Sequence, residues 1–194
     1  MSLIPIYPKT QALIFDLDGT LADTMPIHLE AWKKTGELEG FTFTDERFWA
    51  TAGVPSFKIL KDLNKEFGLH MDPWGVTEKK EDIFLELLDK VQPIQPVVGL
   101  VHAYHGKLPM AVGTGGIIKI ATFLLETLNI DSFFEILVTS EDVTHYKPHP
   151  ETFLKCAEHM GIAPEFCQVF EDGDPGIEAA KAGGMQVTDV REYV

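Results

Sequence analysis

The sequence predicts an α/β fold in which a parallel β-sheet carries helices on its faces and is interrupted by a helical insertion. From residue 93 onward, short apolar runs alternate with amphipathic helical stripes, which is the pattern of βαβ units. An earlier apolar run at residues 12–15 indicates a buried strand, whereas residues 23–91 show only helical periodicity. These three observations define the predicted architecture.

Two acidic residues follow the first predicted strand. Residues 12–15 are apolar throughout, as in a central strand buried on both faces, and Asp-Leu-Asp-Gly-Thr follows at residues 16–20. We expect Leu17 to point into the core, so that Asp16 and Asp18 lie on the loop at the carboxyl end of the strand. Open parallel sheets bind their ligands at that end.

Three helices are predicted in the insertion, at residues 23–36, 56–68 and 76–91. Gly36 and Gly68 suit the C-terminal ends of the first two, because glycine readily adopts the left-handed conformation. Further expectations are an N-cap at Ser56, a buried stripe of Ile59, Leu60, Leu63 and Phe67, and a solvated face with Lys79 and Lys80.

The first strand needs partner strands for its backbone groups, and these come only later in the chain. We therefore predict a Rossmann-like parallel sheet core of residues 1–22 and 95–194, with a small α-helical cap domain inserted at residues 23–94. Short connectors near residues 21–26 and 92–97 would let the cap open and close over the sheet edge.

The later half of the chain supplies those partner strands. Residues 110–112, 136–138 and 169–170 are predicted strands, and helical stripes at 117–128 and 153–160 lie between them. Helical crossovers between strands predict parallel pairing.

Composition and cysteine content exclude several classes of protein. The chain of 194 residues is 45% hydrophobic and 24% charged, and no apolar run approaches the roughly 18 residues of a membrane-spanning helix. Residues 1–9 lack the basic and then apolar pattern of a secretory signal, so we expect a cytoplasmic protein. Cys156 and Cys167 form no disulfide framework or metal spacing, and we expect reduced, buried thiols.

The net charge of −14 disfavours nucleic acid and anionic membranes as partners, because both are bound by basic surfaces. Nothing in the sequence implies a protein partner. Only two of the 16 basic residues are arginines, Arg47 and Arg191. Any phosphate recognition must therefore depend mostly on lysines, hydroxyls and backbone N–H groups.

Four polar clusters follow predicted strands, at residues 16–20, 113–116, 146–148 and 171–174. A parallel sheet brings all of them to one edge. A carboxylate at that edge can attack phosphorus and form an aspartyl-phosphate, which water then hydrolyses. Because both reactants are anionic, this attack needs positive charge nearby.

The clusters supply groups for each of these tasks. Asp16 is the predicted nucleophile, and Asp18 can donate a proton to the leaving oxygen and later take one from water. Lys147 adds a fixed positive charge, while Thr114, Gly115 and the N–H groups that open the next helix would hold phosphate oxygens. The predicted cofactor is a hard cation such as Mg²⁺, held by Asp16 and Asp172 with help from Glu171 or the backbone carbonyl of Asp18.

In their order along the chain, the four clusters resemble the four loop motifs of the haloacid dehalogenase-like phosphohydrolases. The segments at 147–153 and 171–185 extend the likeness over nearly the whole chain. The resemblance implies a Mg²⁺-dependent phosphatase that acts on a small phosphorylated metabolite, such as a sugar phosphate, through an aspartyl-phosphate.

The insertion resembles the small helical cap of the β-phosphoglucomutase-like branch of that family. His28 and Trp32 match the first cap helix of this branch, where the histidine helps position the sugar and the acid/base aspartate. Residues 109–115 and 170–191 are most similar to sugar phosphatases of the fructose-1-phosphatase kind.

A hexose-phosphate mutase of the β-phosphoglucomutase type is the alternative activity. The mutase carries a cap arginine that grips a second phosphate, but residues 53–58 here are shorter and contain Lys58 instead. Lys58 is a candidate substrate contact, although it cannot bind phosphate in the bidentate manner of arginine. The phosphatase is therefore favoured.

Two further points stay open in the sequence. In the fourth motif, Gly173 follows the acid pair where the family usually has serine or alanine, and Asp174 comes next, so the direct metal ligands among Glu171, Asp172 and Asp174 are not decided. A non-catalytic module that binds phosphorylated metabolites is a third alternative, opposed by the intact acids and Lys147. A dehalogenase is disfavoured because its halide leaving group needs no acid.

Overall fold

The computed structural model of the chain describes residues 4–52, 54–88 and 91–194. Within these ranges, five parallel strands form one sheet in the order β3-β2-β1-β4-β5. The strands are β1 (Ala12–Phe15), β2 (Met110–Gly113), β3 (Ile136–Val138), β4 (Cys167–Glu171) and β5 (Gln186–Asp189). Because β1 is the central strand, the loop that follows it lies in the middle of the sheet edge.

Both faces of the sheet are covered by helices, as predicted for a parallel sheet. The covering helices are α5 (Gln95–Tyr104) and α6 (Ile118–Thr127) on one face, and α7 (Glu151–Met160) and α8 (Asp174–Ala182) on the other. Leu13 and Phe15 of β1 pack with α5 and α6, whereas Ala12 and Ile14 pack with α7 and α8. This alternation buries the whole central strand.

A helical insertion separates β1 from α5. Its described helices are α1 (Met25–Glu39), α2 (Asp45–Ala50), α3 (Ser56–Phe67) and α4 (Pro73–Leu87). They enclose an apolar cluster of their own, which includes Trp32, Phe48, Leu60 and Leu63. Helix α2 was not predicted, because six residues are too few to show a helical period. Positions 53 and 89–90 of the predicted cap lie outside the described residues.

The two predicted connectors lie side by side. The backbone N–H of Asp23 donates to the carbonyl of Gln92 at 2.9 Å, and the N–H of Ile94 donates to the carbonyl of Leu21 at 2.9 Å. The chain therefore leaves and re-enters the sheet region at one place. The boundaries of the core and cap stay a prediction.

Helix α1 runs past the glycine that was expected to end it. Gly36 is buried within the helix, and a Cβ at this position would lie 2.5 Å from the carbonyl oxygen of Phe41. The helix ends instead at Gly40, which adopts a left-handed conformation with φ of 80°. The predicted stop at Gly36 is wrong because that glycine is required for packing.

Helix α3 also differs in detail from the prediction. Pro55 occupies its N-cap and Ser56 is its first residue, so the predicted cap at Ser56 is wrong. Of the four residues expected to form its buried stripe, Phe67 is the exception and is 57% exposed. The centroid of its ring lies 5.4 Å from Cζ of Arg47. Helix α4 begins at Pro73, three residues before its predicted start at Val76.

Two sequence-based expectations concern the whole chain. Cys156 and Cys167 are free and buried, as predicted. Over residues 4–52, 54–88 and 91–194, the helices are too short or too polar to cross a bilayer.

Candidate active site

The site is centred on a buried lysine between two acids at the ends of adjacent strands. Asp16 follows β1 and Glu171 ends β4, so the parallel pairing of these strands places the two carboxylates together. The Lys147 ammonium donates to Asp16 Oδ1 at 2.6 Å and to Glu171 Oε2 at 2.7 Å. All three residues are almost completely buried. Three predicted site residues therefore meet in one cluster.

Asp172 completes the cluster and depends on a glycine. Thr20 donates its hydroxyl to Asp172 Oδ1 at 3.1 Å. Gly19 has φ of +83°, and a Cβ there would lie 2.2 Å from Asp172 Oδ2. Only glycine combines this left-handed backbone with such a close approach.

The cluster holds more negative than positive charge. Burial, and then the charge of Glu171, raise the pKa of Asp16 well above its ordinary value, although Lys147 opposes this shift. Burial and Glu171 likewise raise the pKa of Asp172 to about 7. Carboxylate oxygens of Asp16, Glu171 and Asp172 lie within 4.8 Å of one another. Hard oxygen ligands with excess negative charge are the ligand set that Mg²⁺ prefers, so these residues fit the predicted cofactor.

Asp18 lies beside this cluster and is held by residues of α1 and its approach. Thr24 donates its hydroxyl to Asp18 Oδ1 at 2.7 Å, and His28 Nε2 lies 3.0 Å from the same oxygen. Burial alone would raise the pKa of Asp18, but His28, Thr24 and Lys80 together lower it below its ordinary value. The carboxylate form is therefore favoured here.

Lys80 is a site residue that the sequence analysis missed. It was expected to face solvent with Lys79, which is exposed, but Lys80 is only 2% exposed. Its ammonium lies 2.7 Å from His28 Nδ1. Because an ammonium can only donate, Nδ1 accepts and the Nε2–H of His28 donates to Asp18.

The burial of Lys80 is indicated by its spacing from two apolar residues in the sequence. Lys80 is four residues from both Val76 and Phe84, so the three share one face of α4. Val76 and Phe84 are buried, and the ring of Phe84 stacks on His28 with centroids 3.9 Å apart. The lysine is thus enclosed by the apolar face of its own helix.

The loop after β2 approaches the acids from the other side. Thr114 is buried, and its Oγ1 accepts the N–H of Gly116 at 2.9 Å. The N–H of Ile118, at the start of α6, donates to Glu141 Oε2 at 2.8 Å. This helix N–H is therefore engaged, which does not support the expectation that it would hold phosphate.

One pocket joins the sheet edge to the insertion. From the sheet edge it is lined by Asp16, Asp18, Thr114, Gly115, Gly116, Ser140, Glu171 and Asp172. From the insertion it is lined by His28, Trp32, Ser56, Thr77, Lys80 and Glu81. A molecule bound there would touch both parts of the chain.

Comparison with known proteins assigns the chain to a family. Residues 10–184 match the haloacid dehalogenase-like hydrolases. The chain belongs to this family. It is 41% identical over 187 residues to fructose-1-phosphate phosphatase YqaB of Escherichia coli strain K12. The aligned region covers 96% of this chain and 99% of that protein.

Two further similarities agree with this assignment. A phosphorylated carbohydrates phosphatase of Thermotoga maritima is 31% identical, covering 91% of this chain and 82% of that protein. The crystal structure of β-phosphoglucomutase from Clostridium difficile superposes with a TM-score of 0.82 at 24% identity, covering 92% of this chain and 83% of that one. The predicted family, α/β fold and phosphatase class are thus confirmed.

In this hydrolase, two predicted candidates lie away from the cluster. Asp174, the third candidate metal ligand, pairs with the guanidinium of Arg191 at 2.8 Å. Lys58 is not among the residues that line the pocket, and its ammonium lies 3.7 Å from Asp62. The role of Lys58 stays a prediction that its position does not support.

Proposed function

We propose that this hydrolase is a Mg²⁺-dependent phosphatase that removes phosphate from a small phosphorylated metabolite of the sugar phosphate class. The observation that carries the proposal is the buried contact of Lys147 with Asp16 and Glu171, next to Asp172. The names of the two phosphatase relatives support the substrate class. The expected cytoplasmic location, with no nucleic acid, membrane or protein partner, belongs to the same proposal.

Asp16 is the nucleophile in the proposed first step. Its carboxylate oxygen forms a bond to phosphorus while the bond from phosphorus to the substrate oxygen breaks. Lys147 balances charge beside Asp16, and Thr114 and Gly115 contact the phosphate oxygens. Asp16, Glu171, Asp172 and the backbone carbonyl of Asp18 would hold Mg²⁺, whose charge would reduce the repulsion between carboxylate and phosphate.

Asp18 transfers the protons in both proposed steps. Its carboxyl donates a proton to the departing substrate oxygen, and its carboxylate then takes a proton from the water that attacks phospho-Asp16. The interactions of His28 and Thr24 favour the carboxylate, which is the form needed for the second step. A bound phosphate beside Asp18 favours the protonated form needed first, because a nearby like charge raises a carboxyl pKa.

Phosphate release tests the proposal. The protein is incubated with a panel of sugar phosphates, with Mg²⁺ or with EDTA, and inorganic phosphate is measured. We expect Mg²⁺-dependent release that Asp16→Asn abolishes, whereas Asp62→Asn, an exposed aspartate on α3, retains it. Activity that survives Asp16→Asn would contradict the nucleophile assignment. Absence of turnover on every substrate, together with tight binding, would favour a non-catalytic module.

The mutase alternative makes a different prediction. A mutase converts a sugar 1-phosphate to the 6-phosphate without net phosphate release and is accelerated by a bisphosphate primer. Within residues 4–52, 54–88 and 91–194, no arginine lines the pocket to hold a second phosphate. We therefore place phosphatase activity ahead of mutase activity.

A further inference from the structure

A carboxylate lies on the insertion side of the pocket, away from the reacting groups. Glu81 of α4 lines the pocket and is 9% exposed. Its Oε1 accepts hydrogen bonds from the Ser56 hydroxyl at 3.0 Å and from the Lys80 ammonium at 3.1 Å, while Oε2 lies 3.3 Å from the same ammonium. The proposed reaction uses neither Glu81 nor Ser56.

The neighbouring lysine is not available to a second anion. Among the described residues that line the pocket, Lys80 is the one lysine, and no arginine accompanies it. Its ammonium is already shared between Glu81 and His28. The rings of Trp32 and Phe84 enclose it at 5.7 Å and 5.1 Å. Among the described residues of the lining, a phosphate on the far end of a substrate would find no unpaired cation, because Glu81 holds the Lys80 ammonium, and it would approach the Glu81 oxygens themselves.

A neutral hydroxyl would be accommodated differently. A carboxylate has about four lone-pair positions for acceptance, and Ser56 and Lys80 fill only part of this capacity. A sugar hydroxyl can donate to the remaining positions, whereas a phosphate oxygen brings a like charge.

We propose that Glu81 restricts this enzyme to monophosphates whose far end carries neutral hydroxyl groups, by accepting a substrate hydroxyl and repelling a second phosphate. The inference rests on the proposed phosphatase function and adds a residue that determines specificity. Two features would then disfavour a second phosphate: the charge of Glu81, and the lack of an arginine in the part of the pocket lining that the structure describes.

The test compares fructose 1-phosphate with fructose 1,6-bisphosphate in phosphate-release assays with Mg²⁺. Wild-type protein should prefer the monophosphate in kcat/KM by at least about tenfold. Glu81→Gln keeps the size of the side chain and removes its charge. It should raise kcat/KM for the bisphosphate by about tenfold, mostly through KM, and lower that for the monophosphate.

Two variants serve as controls. Glu78→Gln removes the same charge from an exposed position of α4, and we expect the wild-type preference to persist. Ser56→Ala removes a partner of Glu81 but leaves its charge, so rejection of the bisphosphate should persist as well. A change in preference that is equal for Glu78→Gln and Glu81→Gln would overturn the role of Glu81.

The failure of this inference is distinguishable from failure of the proposed function. If the wild type releases phosphate from neither compound nor from any other sugar phosphate, the phosphatase proposal itself fails. If it hydrolyses both fructose phosphates equally well, only the role of Glu81 fails. Should Glu81→Gln not fold, the bisphosphate is tested as a competitive inhibitor of the wild type. A Ki as low as the KM of the monophosphate would then contradict the inference.

Discussion

Replacing Gly19 with alanine separates backbone strain from a direct effect on the site. Gly40→Ala is the matched control, because Gly40 has φ of +80° and a Cβ added there would meet nothing within 4 Å, whereas Gly19 has φ of +83° and faces Asp172. A left-handed conformation costs an alanine about 1 kcal/mol. Gly40→Ala should therefore lower the free energy of unfolding by about that amount and leave activity unchanged.

Gly19→Ala should cost more, since its Cβ would lie 2.2 Å from Asp172 Oδ2 and the carboxylate must move. Loss of the hydrogen bond from Thr20 adds about 1 kcal/mol, giving a total of about 2 kcal/mol. Displacement of Asp172 should also raise the Mg²⁺ concentration needed for half-maximal activity by about tenfold or more. Urea unfolding and Mg²⁺ titration of activity measure both effects. Equal behaviour of the two variants in both assays would refute this account of Gly19.

Three further predictions concern charged groups. Lys147→Met should lower the free energy of unfolding by about 3 kcal/mol in urea titrations without Mg²⁺, because two buried carboxylates lose their cation; unchanged stability would contradict this. Lys80→Met should reduce kcat/KM by about tenfold or more, because His28 loses its contact with the ammonium and no longer holds Asp18 in position. Lys79→Met, at an exposed position, should not have this effect. Hydrogen bonds, of which that from the backbone N–H of Thr144 has the largest effect, lower the pKa of Glu151 from 4.5 to about 2. This carboxylate should stabilise the fold above pH 4.5 and lose that effect as the pH falls towards 2. In urea titrations over this range, the free energy of unfolding of Glu151→Gln should therefore decline less than that of the wild type.

The residues at the strand ends were predictable because the sheet itself brings them together. Asp16 and Glu171 directly follow or end apolar strands, and parallel pairing of β1 with β4 is sufficient to make them neighbours. Lys147 comes from a loop, yet its place in the motif order identified it. Local pattern and topology were therefore enough for the two acids, whereas Lys147 depended on the resemblance to the family's motifs.

The insertion side of the site was less predictable. Lys80 and Glu81 look like part of a charged run, and their burial depends on how α4 packs against α1. The one local clue to that packing was the position of Lys80 between Val76 and Phe84 on one face of α4. Sequence periodicity shows which face of a helix is apolar, but not which polar residues it carries into a pocket.

The end of α1 and the edge strand β5 were likewise not predictable from the local sequence pattern. Gly36 and Gly40 are equally good helix terminators by residue type, and the contact of Gly36 with Phe41 decides between them. Strand β5 (Gln186–Asp189) was not predicted, because an edge strand with three polar residues lacks the apolar run of a buried strand.

The most direct test of the proposed mechanism is detection of the phosphorylated nucleophile. Asp18→Asn loses the acid of the first step as well as the base of the second, so a long incubation with excess substrate is used, and the intermediate that forms should persist because no carboxylate takes the proton from water. This variant is mixed with fructose 1-phosphate and Mg²⁺ and quenched in acid, and its peptides are examined by mass spectrometry. We expect phosphate on Asp16, which borohydride reduction converts to homoserine. Phosphate on another residue, or phosphate release without any labelled peptide, would contradict the assignment of Asp16 as the nucleophile.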